Sequence, residues 1–190
     1  MTNYVFGSGA TTRPSGLILP QLDGVIRKLH AKVGNALTEG YYIIPAAGST
    51  QAMAAALYAM ATLNPQPEGP LHAFSQIPYY SHYAYQARAT SMAPTPMVWD
   101  AEASLHPARI NTSYVELLTL PNNPDNSVRT PLVKDPSRII YDCVYLWPQF
   151  NKQWPLSSTP LAEQVLFSIS HSTHFIPHFQ TTKTKLLTVL

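Results

Sequence analysis

Four short stretches carry residue types that do chemistry. Gly48-Ser49-Thr50-Gln51 follows an apolar run and opens an Ala-rich one. Backbone N–H groups and hydroxyls at a helix N-terminus suit a phosphate, and the same residues would equally serve as an ordinary N-cap. Pro121-Asn122-Asn123-Pro124-Asp125-Asn126 closes another apolar run; it offers amide donors and also has the composition of a plain tight turn. Asp142 lies inside IIYDCVYLW, with Tyr145 three residues on. An acid within an apolar strand must be paired, or stand at the strand's end facing a cation. A structural salt bridge or hydrogen bond would satisfy it as well. His171, His174 and His178 stand at i, i+3 and i+7, a spacing a metal could use. No carboxylate follows Glu163 to support them, and they read as incidental histidines of a tail.

The elements that must position these residues follow from periodicity. Leu22, Ile26, Leu29 and Val33 recur at helical spacing, with Gly34 and Asn35 as stop signals. Met53, Ala56, Leu57 and Met60 mark a second helix, ended by Asn64-Pro65. Residues 79–89, just after Pro78, read as a third. Short apolar runs at 41–44, 71–77, 96–99, 114–120, 139–145 and 165–169 read as strands. Strands that alternate with helices and lack a polar face predict an α/β fold with a mostly parallel sheet. Ligands of such sheets sit beyond the carboxyl ends of the strands. Ser49 and Thr50, Asn122 and Asn123, Asp142 with Tyr145, and Ser170-His171 all fall at those ends.

Composition narrows the class. The 190 residues carry 12 Lys+Arg and 10 Asp+Glu, a net charge of +2, too mild for a nucleic-acid binder or a polybasic membrane anchor. Charged residues make up 12%, about half the ~25% usual for a soluble domain, which fits a surface partly covered by further chain or a partner. The single Cys143 excludes an internal disulfide and a multi-cysteine zinc site. No apolar run reaches the ~18 residues of a membrane span, and 1–16 lack the pattern of a signal peptide. A cytoplasmic location is the default expectation.

Together, IRKLHAKVGNALTEGYYIIPAAGSTQAMAAALYAM, PYYSHYAYQA, VELLTLPNNPDN, IIYDCVYLWPQF and VLFSIS, five ordered blocks from about Leu22 to Ser170, resemble the alliinase C-terminal-domain family. That family includes plant alliinases, which are carbon–sulfur lyases, and tryptophan aminotransferase-related proteins. The resemblance implies the large domain of a fold-type-I enzyme using pyridoxal phosphate, incomplete at its C-terminus. It divides the chain into a poorly matching segment (1–21), a partial large domain (22–170) and a divergent tail (171–190). By the same resemblance Gly48, Ser49 and Thr50 would cradle the cofactor phosphate and Tyr80 would stack on the pyridine ring. Asn123 and Tyr145 would hydrogen-bond the phenolic oxygen, and Asp142 would pair with the ring nitrogen. The implied substrate is an amino acid, a cysteine sulfoxide or tryptophan.

The chain departs from the family pattern at three places. His171 stands where the Schiff-base Lys is expected, and Phe179 where a phosphate-binding Arg is expected. Asn126 replaces a usual Gly, a milder change because Asn tolerates the same left-handed backbone. The smaller domain that binds the substrate carboxylate is missing from the matched text. The expectation is therefore a truncated, inactive member that binds the cofactor weakly and non-covalently. The alternative is a non-catalytic regulatory or binding subunit, as a homodimer or paired with a full-length paralogue. The family's sheet also has an antiparallel strand between 41–44 and 165–169, encoded after the Lys loop. Here 184–190 (TKLLTVL) is the apolar segment left to fill that slot.

Overall fold

The computed structural model describes residues 18–36, 38–39, 41–46, 49–63, 69–90, 92–93, 95–148 and 150, and the strand backbones at 165–168, 174–175 and 185–189. The first helix, α1 (Pro20–Val33), begins with a proline whose fixed φ suits the first turn. It ends at Gly34, whose left-handed φ of 74° lets its N–H reach the His30 carbonyl at 2.7 Å. Its inner face matches the predicted one at Ile26 and Leu22 but not at Leu29. Ile26 and His30 are buried, while Leu29 is 38% exposed. A histidine can take the inward position because its Nδ1 lies 2.6 Å from Asn35 Oδ1, and Asn35 Nδ2 in turn donates to the Leu146 carbonyl.

The next element, β1 (Tyr41–Tyr42), is shorter than the run 41–44, and Pro45 and Ala46 form a separate strand β2 (Pro45–Ala46). Arg27 of α1 ties the segment down, donating to the Tyr41 carbonyl at 2.9 Å while holding Asp23 at 2.7 Å. Helix α2 (Ser49–Leu63) follows. All four residues of its predicted face, Met53, Ala56, Leu57 and Met60, are buried, with Ala52 and Ala61 beside them.

The remaining elements are β3 (Leu71–Phe74), α3 (His82–Ala89), β4 (Met97–Trp99), β5 (Tyr114–Thr119), β6 (Ile139–Asp142), β7 (Val165–Ser168), β8 (His174–Phe175) and β9 (Lys185–Val189), with three short 3-10 turns among them. One sheet has the order β1-β9-β7-β6-β5-β3-β4. Every ladder in it is parallel. The α/β class with a parallel sheet is thus as expected. Each residue of β5 and β6 is buried, which is why these runs are apolar without alternation. The short β2 pairs antiparallel with β8.

The slot next to β1 is filled by residues 185–189, as anticipated, but not in the family's direction. Lys185 and Leu186 pair with Tyr41 and Tyr42, and Leu187, Thr188 and Val189 pair with Leu166, Phe167 and Ser168. Both ladders are parallel, where an antiparallel strand was expected to be replaced. The backbone N–H and C=O groups of β1 and β7 gain partners in either direction, so satisfying the two edges does not itself fix the strand's polarity.

One buried acid had no counterpart in the sequence reading. Glu116, in the middle of β5, is fully buried. Its carboxylate accepts from Leu132 N–H at 2.7 Å, Val133 N–H at 3.0 Å and Gln76 Nε2 at 2.7 Å, anchoring the loop before β6 to the sheet. Burial pushes its pKa up, and the three donors pull it back. No helix among the described residues is long and apolar enough to cross a membrane.

Candidate functional site

Thr119 and Asp142 are the last residues of β5 and β6 and are register partners. Neighbouring residues at equal register in a parallel pair point to the same face, so both side chains stand at one level at the carboxyl ends of the strands. The apolar run 139–145 stops being a strand at Asp142. The Asp142 carboxylate accepts the Val144 N–H at 3.2 Å and Leu146 N–H donates to the Cys143 carbonyl at 2.9 Å, turning the chain out of the sheet. That turn places Val144 and Tyr145 over the strand ends.

The other wall comes from the segment before α3. This helix starts at His82 rather than at residue 79. Tyr83 N–H instead closes a turn onto the Tyr80 carbonyl at 3.1 Å, which leaves Tyr80 on a loop, 40% exposed. Its ring meets Tyr83 edge-on at 5.6 Å and stacks with His82 at 5.4 Å.

The turn after β5 forms the third wall. Asn126 has φ 57°, the left-handed conformation foreseen for it. Asn122 is buried, and its Nδ2 donates to the Pro78 carbonyl at 3.0 Å and to Asp125 Oδ1 at 2.7 Å. Arg129 completes the staple. Its guanidinium donates to Asp125 Oδ2 at 2.7 Å, Ser127 Oγ at 2.9 Å, the Pro78 carbonyl at 3.0 Å and the Gln76 carbonyl. The hydrogen bonds from Asn122, Ser127 and Arg129 hold the Asp125 carboxyl far below the usual carboxylate range. The turn that carries Asn123 and the loop that carries Tyr80 are therefore one hydrogen-bonded unit. Arg129→Met should lower stability by about 1 kcal/mol, because the partly buried Gln76 carbonyl loses this donor while the Pro78 carbonyl keeps Asn122. Urea denaturation reads this; an unchanged midpoint would show that the staple is idle.

The three walls enclose a cavity of about 120 Å³ lined by Ser49, Tyr80, Thr119, Asn123, Asp142, Val144 and Tyr145. Five of the seven site residues named from the sequence thus meet in one place. Thr50 sits beside Ser49 at the start of α2, exposed and not on the cavity wall. Gly48 lies outside the described residues, as do Ser170, His171, His178 and Phe179. No group of three or more His, Cys, Asp or Glu placed to hold a metal occurs among the described residues.

Two lining residues were missed, Thr119 and Val144, and so was Tyr83 behind the wall. The one signal for Thr119 is that it is a polar residue near the end of an otherwise apolar run. Tyr83 had no signal beyond lying three residues after Tyr80.

The electrostatics centre on Asp142, which is 7% exposed. Burial raises its pKa, opposed by the Tyr83 and Val144 hydrogen bonds. Burial, with the Asp142 charge behind it, also pushes the Tyr83 hydroxyl and the Cys143 thiol well up. Among the described residues no cation forms an ion pair with Asp142. On the adjoining wall Asn123 Nδ2 donates to the Tyr145 hydroxyl at 3.4 Å, so an amide and a phenol converge on one spot. A buried carboxylate, a paired amide and phenol, an aromatic face and a serine at a helix start form a chemically coherent set.

The family model described as Allinase matches residues 7–176. Tryptophan aminotransferase-related protein 1 of Oryza sativa subsp. japonica is 34% identical over 155 residues, which are 81% of this chain and 33% of that protein. Tryptophan aminotransferase-related protein 2 of Arabidopsis thaliana is 36% identical over 157 residues, 81% of this chain and 33% of that protein. Alliin lyase 1 of Allium sativum is 28% identical over 165 residues, 84% of this chain and 32% of the lyase. The chain spans about a third of the length of the curated relatives it matches.

Proposed function

This chain belongs to the alliinase family, fold-type-I proteins that use pyridoxal phosphate, and from that premise we propose that its cavity is the ring-binding part of the cofactor site in a chain that does not catalyse. The observation that carries the reading is the convergence of Asp142, Asn123, Tyr145, Tyr80 and Ser49 on one cavity. Pyridoxal phosphate, when bound, supplies an electron sink for a carbanion at an amino-acid Cα. Asp142 would hold the proton on the ring nitrogen, which keeps that sink effective. Asn123 and Tyr145 would donate to the phenolic oxygen. Tyr80 would cover one face of the ring, and Ser49 at the start of α2 would receive the phosphate, with Gly48 and Thr50 of the same turn assigned to it by family. The buried strand ends would exclude water from the ring's nitrogen edge.

Two side chains needed for turnover are replaced. His171 stands at the position of the lysine that anchors the cofactor and moves the Cα proton, and Phe179 at that of a phosphate-binding arginine. An imidazole forms no lasting imine with an aldehyde. Binding is then reversible, and neither cleavage of a cysteine sulfoxide nor transamination of tryptophan proceeds. The lyase and transaminase reactions of the family use the same ring chemistry, so the cavity does not distinguish between the two lineages.

The test is to add pyridoxal phosphate, separate free ligand by gel filtration, and reduce a parallel sample with borohydride. The expected result is a saturable absorbance change that is lost on gel filtration, with no pyridoxyl adduct in the mass spectrum. His171→Lys should convert this into an adduct on residue 171. An adduct on a native lysine, with pyruvate or a keto acid released from substrate, would overturn the non-catalytic reading. Absence of any saturable binding would overturn the site itself.

A further inference from the structure

Tyr83 does not line the cavity, yet it touches the two residues that end β5 and β6. Its hydroxyl donates to Asp142 Oδ2 at 2.8 Å and lies 2.5 Å from Thr119 Oγ1. The side chain is 2% exposed and the Thr119 residue 1% exposed, so neither hydroxyl has recourse to water. A phenol has one proton and can also accept. When Asp142 is ionised, the chain runs Thr119 O–H to Tyr83 O, then Tyr83 O–H to Asp142. When Asp142 is protonated on Oδ2, the same three groups fit with both bonds reversed: Asp142 O–H to Tyr83 O, then Tyr83 O–H to Thr119 Oγ1. Only hydrogens move, but the Thr119 O–H has an acceptor within the three groups only when Asp142 is ionised, so the network is complete with the carboxylate. The other contact of the carboxylate, the Val144 N–H at 3.2 Å, can only donate.

We propose that Tyr83, backed by Thr119, is the positioning residue that lets Asp142 face the cavity as a carboxylate and thereby selects a ligand carrying a cationic ring N–H. The inference rests on the cavity being a pyridoxal phosphate site, and it adds a residue and a selectivity to that reading. Without the phenol, Asp142 keeps one backbone donor in a buried setting, and a buried acid with few donors is held neutral. A neutral Asp142 no longer distinguishes a pyridinium from a ring that has carbon in place of nitrogen. The titratable groups against Asp142 are Tyr83 and Cys143, and neither supplies positive charge.

The experiment compares equilibrium binding of pyridoxal phosphate with that of its 1-deaza analogue, whose ring lacks the nitrogen, in the full chain at pH 7.5. The parent should prefer the natural ligand about tenfold or more, the scale of one hydrogen bond to a charged group. In Tyr83→Phe the ratio should fall to about threefold or less, through loss of natural-ligand binding with deaza binding kept. A second readout uses no ligand: the Asp142 carboxyl carbon resonance, followed with pH by NMR, should titrate higher in Tyr83→Phe than in the parent. Thr119→Val, which removes the donor that polarises the phenol while keeping side-chain shape, should change both readings in the same direction by less. It carries the test if Tyr83→Phe does not fold. A folded Tyr83→Phe, or failing that Thr119→Val, with the parent's ratio and the parent's titration overturns the proposal. If the parent binds neither ligand, the site reading fails, and the titration alone then decides what Tyr83 does to Asp142.

Discussion

Asp142→Asn will bind pyridoxal phosphate roughly ten- to a hundredfold more weakly than the parent and yet melt higher at pH 8. The affinity loss follows from replacing a charge-assisted contact to the ring nitrogen, about 1.5–3 kcal/mol, by a neutral one. The stability gain follows from the burial of the acid itself. Asp142 is buried with no cation paired among the described residues, and burial raises its pKa. A raised folded-state pKa means that the fold favours the protonated form. The contribution is fully present below the unfolded value of about 3.9 and is lost as pH rises through the folded value. At pH 8 the chain carries the cost of an ionised buried acid, and asparagine removes it. The amide is tolerated locally because the Tyr83 hydroxyl can accept from it while donating to Thr119. A gain of about 1 kcal/mol would appear as roughly 2–4 °C in a chain of this size.

The pH profile gives the check. As pH rises above the ordinary carboxylate value, the parent should lose stability more steeply than Asp142→Asn. Some slope should remain in the variant, because Glu116 is also raised by burial and has the same sign. Asp125 has the opposite sign: its lowered pKa supports the fold above the ordinary carboxylate range and gives that support up as pH falls. A variant that melts lower than the parent at pH 8 would mean that the carboxylate is a structural asset in its own right. The pocket would then not be organised to receive a positive charge.

Leu187→Pro should cost the chain its cooperative fold. Strand β9 lies between β1 and β7, paired on both sides. Proline at Leu187, the register partner of Leu166 in the middle of this strand, removes an N–H and forces the backbone out of register. The unpaired carbonyl alone costs about 1–3 kcal/mol, and the opened edges of β1 and β7 add to it, against a total stability of about 5–15 kcal/mol for ordinary proteins. Exposed edges also template aggregation. Circular dichroism melting and the soluble fraction on expression are the measurements, with Leu187→Val as the control that keeps the N–H. A monodisperse Leu187→Pro protein with the parent's melting temperature would show that the segment is not part of the working sheet.

What the sequence determined by itself is local. The apolar spacing of α2 and the left-handed Asn126 in its turn depend on a few consecutive residues, and each is found as read. Five ordered blocks were enough to identify the family. The tertiary structure decided what depends on register and depth. Thr119 joins Asp142 only because β5 and β6 pair at that offset, and Tyr83 reaches both only because a turn at Tyr80 delays α3. His30 rather than Leu29 faces inward because Asn35, five residues on, satisfies its ring nitrogen. Glu116 is buried because two backbone N–H groups some sixteen residues away converge on it. The strand filling the gap beside β1 runs parallel, although strand propensity alone is indifferent to direction. Side-chain type and spacing constrain a few ångströms of chain; which distant groups share a buried site is set by how the strands align, and no local pattern encodes that offset.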